Sequence, residues 1–344
     1  MTTRLAIGLV LASTVIGCEP TYLAPSQTPV DSGTSMPPDF SESARSANVP
    51  GEVLYALARA ETNFQMVIGE AEFDGQEPAF GLMGLRGEQL QLAADLSGID
   101  VETVKTDRAA NIAAAAELLG FYGEEFGLTA DSDLGEWAPV VARFANLTDD
   151  EATAEYIHHE VYGALRDGIE TEGYSLAPMD DIVVAWPEPL IDQQRGRDSG
   201  AIWSPSPNYS SRSGYSVNYV IIHTCEGSYS GCWSWLANSA SGVSAHYVVN
   251  DSGSEVRALV DESNKAWHIS ANYDCSLNSN KDCSRNGQPM NNQSVGIEHA
   301  GYGSQSSWSN GLIQRSAELT CGITQRNGVI RDSYHIVGHG QLQP

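Results

Sequence analysis

Apolar side chains recur at helical spacing in the first half of the chain. Those that share one face of a helix beginning after Pro50 are Val53, Leu54, Leu57 and Ala58. Asp107 is placed to cap a second, alanine-rich helix. Thr148 and Glu151 form a capping-box pattern that announces a third. The spacing therefore predicts an all-α domain over residues 48–170.

The pattern changes to strands after residue 216. The runs rich in β-branched and aromatic side chains lie at 217–222, 246–249, 255–260 and 295–297. Residues 310–327 return to helical spacing, whereas residues 171–205 contain several prolines without a period and predict a linker. We therefore expect a multidomain protein, in which the all-α domain is followed by an α/β domain over 206–344, a mixed central sheet flanked by helices.

The N-terminus has the pattern of an exported lipoprotein. Arg4 precedes an apolar run that is too short to span a bilayer and is typical of a secretory signal. The run ends at Gly17 and Cys18, which resembles a bacterial lipobox. We predict a signal peptide over 1–17, an acylated Cys18 that anchors the chain to a membrane, and a flexible tether over 18–47. The absence of Asp after Cys18 resembles the pattern of lipoproteins sorted to the outer membrane, facing the periplasm.

The charge of the chain is strongly acidic. Its 344 residues include 18 Lys+Arg and 44 Asp+Glu, a net charge of −26. Tight binding to nucleic acid requires clustered basic residues, so no nucleic-acid partner is predicted. Residues 48–170 hold 24 acids and 6 bases, net −18, whereas residues 206–344 hold 10 acids and 8 bases, net −2. The acidity belongs mainly to the helical domain, which we interpret as a soluble, weakly self-repelling module.

Export implies an oxidising compartment in which cysteines can pair. Cys225 and Cys232 are seven residues apart, and Cys275 and Cys283 are eight apart. Two local disulfides are plausible on this spacing, although four cysteines allow three connectivities. Cys321 lies in an apolar helical stretch and is expected to be a buried thiol.

Histidines are concentrated in the predicted α/β domain, which holds six of the eight in the chain. Several follow or end a strand, where side chains from distant parts of a chain converge. Imidazole is a good zinc ligand, and a catalytic zinc site takes three protein ligands and leaves a position for water. A single histidine at a strand end is more often a hydrogen-bonding surface residue, so composition alone does not decide between these interpretations.

The order of five motifs favours a zinc site over isolated surface histidines. They are Ile221-Ile222-His223-Thr224, the run Val243–Val249 around His246, Ala266-Trp267-His268, the run Asn292–His299 that contains Glu298, and Gly338-His339. Together they resemble the zinc-dependent N-acetylmuramoyl-L-alanine amidases of the type-2 amidase and peptidoglycan-recognition superfamily.

This resemblance implies a role for each motif. His223 and His339 match the two zinc-ligating histidines, and Glu298 matches the acid that activates the zinc-bound water. His246 and His268 match positions that line the substrate cleft, although a packed histidine beneath the sheet is an equal alternative for His246. The implied substrate is peptidoglycan, cleaved between N-acetylmuramic acid and L-alanine of the stem peptide.

The third zinc ligand is the point at which this chain departs from the family. An Asp or Cys is expected about eight residues after His339, and the sequence given ends at Pro344. We expect that ligand beyond Pro344. Recruitment of Cys225 or Glu298, or a domain that recognises peptidoglycan without a metal, are the alternatives.

The helical domain resembles, in degenerate form, the lysozyme-like domain of lytic transglycosylases. The resemblance rests on the segments 57–64 and 80–85 and on the alanine-rich run that follows Asn111. It implies that Glu61 is a protonated acid that donates its proton to the glycosidic oxygen. Gly84 stands where the family has Gln. A helical domain that only holds glycan strands is the alternative.

The sequence thus predicts a monomeric, lipid-anchored murein hydrolase of the cell envelope, with Zn²⁺ as its cofactor and peptidoglycan as its partner. Two alternatives stay open. One is a peptidoglycan-binding protein that lacks a complete metal site. The other is a bifunctional enzyme that cuts both amide and glycan bonds.

Overall fold

The computed structural model describes residues 35–73, 75–190 and 200–344. The predicted signal peptide, Cys18 and the first part of the tether lie outside these ranges and stay predictions. Within them, no helix combines the length and the apolar character needed to cross a membrane.

Helices dominate the N-terminal unit, by which we mean residues 35–190. They are α1 (Pro38–Ser46), α2 (Gly51–Thr62), α3 (Gly87–Ser97), α4 (Val101–Thr106), α5 (Arg108–Glu125), α6 (Ala138–Ala145), α7 (Asp150–Glu155) and α8 (Tyr162–Asp167), with a 3₁₀ turn at Leu134–Trp137 and a π-helical turn at Tyr156–Val161. Asp107 caps α5 by accepting a hydrogen bond from Ala110 N–H, and Asp149 caps α7 from Ala152 N–H. A single apolar core joins the helices.

The N-terminal unit is nevertheless not all-α. It contains a three-stranded antiparallel sheet of β1 (Val67–Ile68), β2 (Ala79–Gly81) and β3 (Leu85–Arg86), and a hairpin of β4 (Ile169–Thr171) and β5 (Tyr174–Leu176). Strands of two or three residues are too short to show an alternating pattern, so hydrophobic periodicity could not reveal them.

Both predicted connecting segments are shorter than expected. The tether was predicted through residue 47, but α1 lies within it and buries Phe40, whose ring meets the edge of Tyr55 at 4.9 Å between centroids. The linker was predicted over 171–205, but its first part, which includes Trp186, packs on the helical core, and β6 (Ala201–Trp203) joins the sheet of the next unit. Both segments therefore contribute an aromatic side chain to the packing of the helical core.

The C-terminal unit, residues 200–344, is the predicted α/β fold. Its other strands are β7 (Tyr209–Ser211), β8 (Tyr219–Thr224), β9 (Tyr247–Val249), β10 (Val256–Ala258), β11 (Asn264–Ala266), β12 (Ser294–His299) and β13 (Ile336–Gly338). The central sheet has the order β13-β8-β12-β9-β10-β6; only the β9–β10 pair is antiparallel, while β7 and β11 pair separately. The predicted mixed sheet is confirmed.

Helices and disulfides flank this sheet. The helices are α9 (Tyr229–Ala237), α10 (Met290–Gln293), α11 (Asn310–Asn327) and α12 (His339–Leu342). Cys225–Cys232 and Cys275–Cys283 form the two local disulfides, as the spacing suggested. The expectation of a buried Cys321 thiol is wrong, because Cys321 is half-buried and disulfide-bonded.

Acidic side chains of the N-terminal unit contact the C-terminal unit directly. Glu160 accepts hydrogen bonds from the backbone N–H groups of Tyr229 and Ser230 at the start of α9. Glu155 accepts a hydrogen bond from Trp233 Nε1 and forms a 2.9 Å ion pair with Arg257. These contacts join the two units at α9 and at β10.

Candidate active site

Three of the residues predicted from the sequence meet at the carboxyl ends of adjacent parallel strands. His223 lies near the end of β8, Glu298 is its direct neighbour in register on β12, and His339 follows β13. The rings of the two histidines lie 4.7 Å apart between centroids. Parallel strands present their carboxyl ends at one edge of the sheet, which brings together residues 116 positions apart in the chain.

A fourth residue was not predicted. Glu72, in the β1–β2 loop of the N-terminal unit, places its Oε1 atom 2.7 Å from His223 Nδ1 and 2.6 Å from His339 Nδ1. The Nδ1 atoms of both histidines thus point at one carboxylate oxygen. Nothing in the sequence around Glu72 distinguishes it from its acidic neighbours, because its role arises only when the two units dock.

The charges of this cluster are strongly coupled. Burial by itself would raise the pKa of Glu72, but the two histidines outweigh it and lower that pKa to about 2. Burial lowers the pKa of His223 despite the opposing carboxylate. The more exposed His339 is also desolvated, yet its contact with Glu72 raises its pKa. The arrangement therefore favours an ionised Glu72 facing nitrogen atoms.

His268 lies behind His223 rather than in an open cleft. Its Nδ1 atom is 2.9 Å from His223 Nε2, and its Nε2 atom is 3.1 Å from Ser294 Oγ. The Ser294 hydroxyl in turn donates to the carbonyl of Met290. Burial lowers the pKa of His268 well below its usual range. This contact orients the ring of His223, so the predicted substrate contact of His268 is replaced by a positioning contact.

His246 is fully buried beneath the sheet. Its Nδ1 atom accepts a hydrogen bond from Gly296 N–H, and its Nε2 atom lies 3.2 Å from the carbonyl of Asn264. Because both ring nitrogens already have partners, the structure favours the packed histidine, which was the alternative to substrate binding.

Glu298 is buried without a hydrogen-bond partner. Both carboxylate oxygens are inaccessible and have no partner in the described part of the chain, and Oε1 lies 3.8 Å from His223 Nδ1. Burial first, and then the charges of Glu72 and Glu226, raise the pKa of Glu298 well above its usual value. A buried carboxyl group without partners is the environment expected of a residue whose partner arrives with a metal ion or a substrate.

Comparison with known proteins agrees with this geometry. The family profile described as Amidase_2, N-acetylmuramoyl-L-alanine amidase, matches residues 213–343. N-acetylmuramoyl-L-alanine amidase A of Achromobacter lyticus is 34% identical over 161 residues, which cover 41% of this chain and 80% of that protein. The chain belongs to the N-acetylmuramoyl-L-alanine amidase family. A solved structure described as a selenomethionine AmpD derivative matches with 21% identity and a TM-score of 0.35, covering 42% of this chain and 84% of that one.

The amidase residues present suit a zinc ion. The Nδ1 atoms of His223 and His339 and a carboxylate oxygen of Glu72 lie within 4.8 Å of one another. Two imidazoles and one carboxylate form a known donor set for catalytic zinc. Cys225, by contrast, is bound to Cys232 and has no thiolate to offer, so its recruitment as a ligand is excluded by the structure.

Glu61 lies apart from the amidase residues, between the two units. It is 8% exposed, accepts a short hydrogen bond from the Tyr156 hydroxyl, and lies 4.0 Å from the Arg86 guanidinium. Burial raises its pKa even though Arg86 opposes the shift. Gly84 packs against it at φ +61°, where an added Cβ would come within 3.1 Å of Glu61. The glutamine expected at that position is therefore disfavoured by this local geometry.

Proposed function

We propose that this amidase hydrolyses the bond between N-acetylmuramic acid and L-alanine of the peptidoglycan stem peptide, with zinc as its cofactor. The observation that carries the proposal is the convergence of His223 Nδ1 and His339 Nδ1 on one point, next to the partnerless carboxyl group of Glu298. A bound zinc ion would supply Lewis-acid polarisation of the scissile carbonyl and a water molecule of lowered pKa.

The residues of the chain carry the proton transfers. Glu298 lies on β12 beside His223, and among the described residues no group donates a hydrogen bond to either of its oxygens. In its ionised form it takes a proton from the attacking water, and it then returns that proton to the departing amine of L-alanine.

The first prediction tests zinc binding and acid–base catalysis with separate variants. We expect the purified chain to bind about one zinc ion, and we expect His223→Ala to lose it, as measured by elemental analysis after dialysis. Glu298→Gln should keep its zinc and release stem peptides from purified murein about 10²- to 10⁴-fold more slowly.

The exposed acid Glu124 provides a matched control. Glu124→Gln makes the same chemical change on the surface of the N-terminal unit and should release stem peptides at the rate of the unmodified protein. Undiminished release by Glu298→Gln would remove Glu298 from the mechanism, and retention of zinc by His223→Ala would contradict the metal site.

Glu61 supports a second candidate activity, cleavage of the glycan strand. Its burial and raised pKa are the properties of an acid that donates a proton to a glycosidic oxygen. It also lines a cavity of about 290 Å³ together with Glu160, Ser228 and Tyr229. The C-terminal unit thus forms part of the wall around this acid.

The second prediction concerns the products of the glycan cleavage proposed for Glu61. If the N-terminal unit is a lytic transglycosylase, murein digests will contain anhydromuramic acid, and Glu61→Gln will abolish it while leaving stem-peptide release unchanged. Mass spectrometry of the soluble products measures both. A digest rich in free stem peptides but without anhydromuramic acid would leave the N-terminal unit with glycan binding alone.

A further inference from the structure

We propose that Glu72 is the third zinc ligand of the amidase site, supplied by the N-terminal unit across the interface between the two units. This inference rests on the zinc-dependent function proposed above. It differs from what the family resemblance implies, namely a ligand that follows His339 in sequence. Here the donor lies more than 260 residues before His339.

The first argument is the position of the carboxylate. Glu72 Oε1 is 2.7 Å from His223 Nδ1 and 2.6 Å from His339 Nδ1. In a tetrahedral zinc site with bonds of about 2.0–2.2 Å, neighbouring ligand atoms lie about 3.3 Å apart. An ion between them therefore requires the two nitrogen–oxygen separations to widen by about 0.6 and 0.7 Å.

The second argument comes from assigning the protons in the row of hydrogen bonds that runs from His223 through His268 to Ser294. The Ser294 hydroxyl uses its only hydrogen on the carbonyl of Met290, so it must accept from His268 Nε2. With His268 neutral, its Nδ1 atom then accepts a hydrogen bond from His223 Nε2. In neutral His223 this leaves Nδ1 with the lone pair that a metal ligand needs, turned toward the oxygen of Glu72. A nitrogen and a carboxylate oxygen 2.7 Å apart hold a cation between them, which is a proton on Nδ1 when no metal is bound and the metal ion when it is.

The third argument is that the loop is fixed in place by contacts with the C-terminal unit. Phe73, next to Glu72, is buried in an apolar cluster with Cys225, Cys232 and Leu236. Gln76 accepts a hydrogen bond from Glu72 N–H and donates another to the carbonyl of Cys225. The carboxylate is therefore held over the histidines by both its neighbours and its own backbone.

The same geometry allows an opposite interpretation, which the experiment distinguishes. A carboxylate that occupies the metal position would act as a latch and would compete with zinc for the two histidines. The ligand and the latch predict opposite changes in zinc affinity when Glu72 is removed. We favour the ligand, because Glu72, His223 and His339 bring together two imidazole nitrogens and a carboxylate oxygen, a donor set that catalytic zinc uses.

The third prediction is a zinc titration of the full chain against a chromophoric chelator. We expect Glu72→Gln and Glu72→Ala to weaken zinc binding by at least about tenfold, and Glu72→Asp to restore part of the affinity. Cobalt gives a readout independent of activity, because loss of a ligand changes the intensity and position of its visible absorption bands. Glu70→Gln, an exposed acid two residues away, is the matched control and should bind zinc normally.

Each of the remaining outcomes would overturn the proposal in a different way. Tighter binding by Glu72→Gln would overturn the proposal in favour of the latch. Unchanged binding, while His223→Ala loses zinc, would overturn it in favour of a ligand located elsewhere, including after Pro344. If His223→Ala binds zinc as well as the unmodified chain does, the proposed zinc site itself is wrong. Circular dichroism of each variant confirms that the fold is retained.

Discussion

At the scale of single residues, the partner of one ring nitrogen determines what the other can do. His268 occupies the Nε2 atom of His223 and is itself fixed by Ser294. This contact helps to keep the Nδ1 atom of His223 directed at the position shared with His339. Groups that orient a metal-ligating histidine contribute to metal affinity without touching the metal.

The fourth prediction follows from this positioning contact. His268→Gln should lower zinc affinity by about 10- to 100-fold, as measured by the same competition titration. His335→Gln is the control, because His335 is also hydrogen-bonded, to Asp332 and Asp282, but makes no contact with His223. Equal affinities in the two variants would show that His268 does not orient the site.

The individual site residues differ in how far the sequence could predict them. His223, Glu298 and His339 stand in strand motifs whose order resembles a known family, and the structure brings all three together. The sequence contained no equivalent signal for Glu72, because its neighbours in the chain are ordinary loop residues. Its partners become visible only after the β1–β2 loop has docked on another unit.

At the scale of secondary-structure elements, the first turn of α9 is hydrogen-bonded to a side chain of the N-terminal unit. Ser228 caps α9 by accepting a hydrogen bond from Gly231 N–H, and Glu160 accepts bonds from the N–H groups of Tyr229 and Ser230, the first two residues of the helix. Burial raises the pKa of Glu160 to about 8 against the effect of Ser230, and the charges of Asp251 and Glu61 act in the same direction as burial. One carboxyl group thus joins two elements and has a pKa near neutrality.

The fifth prediction is the pH dependence that Glu160 imposes. Its usual pKa of 4.5 applies to the unfolded chain, and about 8 applies to the folded one. The folded state therefore keeps the proton to higher pH, and the free energy of unfolding should fall as the pH rises from about 4.5 to about 8. Glu160→Gln should make that decline shallower, as measured by urea denaturation across this range, while Glu124→Gln should not. Identical slopes for all three proteins would contradict it.

Elements with strong local signals were predicted, and short ones were not. The helix capped by Asp107 and the long strands of the central sheet carry periodic patterns that their burial explains. The third helix was predicted as well, but its cap is Asp149 and not Thr148. The strands β1, β2 and β3 have two or three residues each and exist because they pair with one another. A pattern of alternating side chains cannot be seen in so few positions.

At the scale of the whole molecule, the acidic N-terminal unit is more than a solvated module. Glu72, Glu155 and Glu160 all point at donors or cations of the C-terminal unit. Arg257, the partner of Glu155, also stacks 4.0 Å from the centre of the Trp233 ring. Part of the charge imbalance between the two units, −18 against −2 over their predicted ranges, is therefore used at their contact.

The position of Glu72 also links occupancy of the histidine site to docking of the two units. Its carboxylate belongs to one unit and touches two histidines of the other, so filling of the site and docking of the loop share a single free energy. The factor by which docking of the loop changes the affinity of the histidines for a cation equals the factor by which the bound cation changes the docking equilibrium. If Glu72 is the ligand proposed above, a murein strand that separates the two units would weaken the binding of the ion by that same factor.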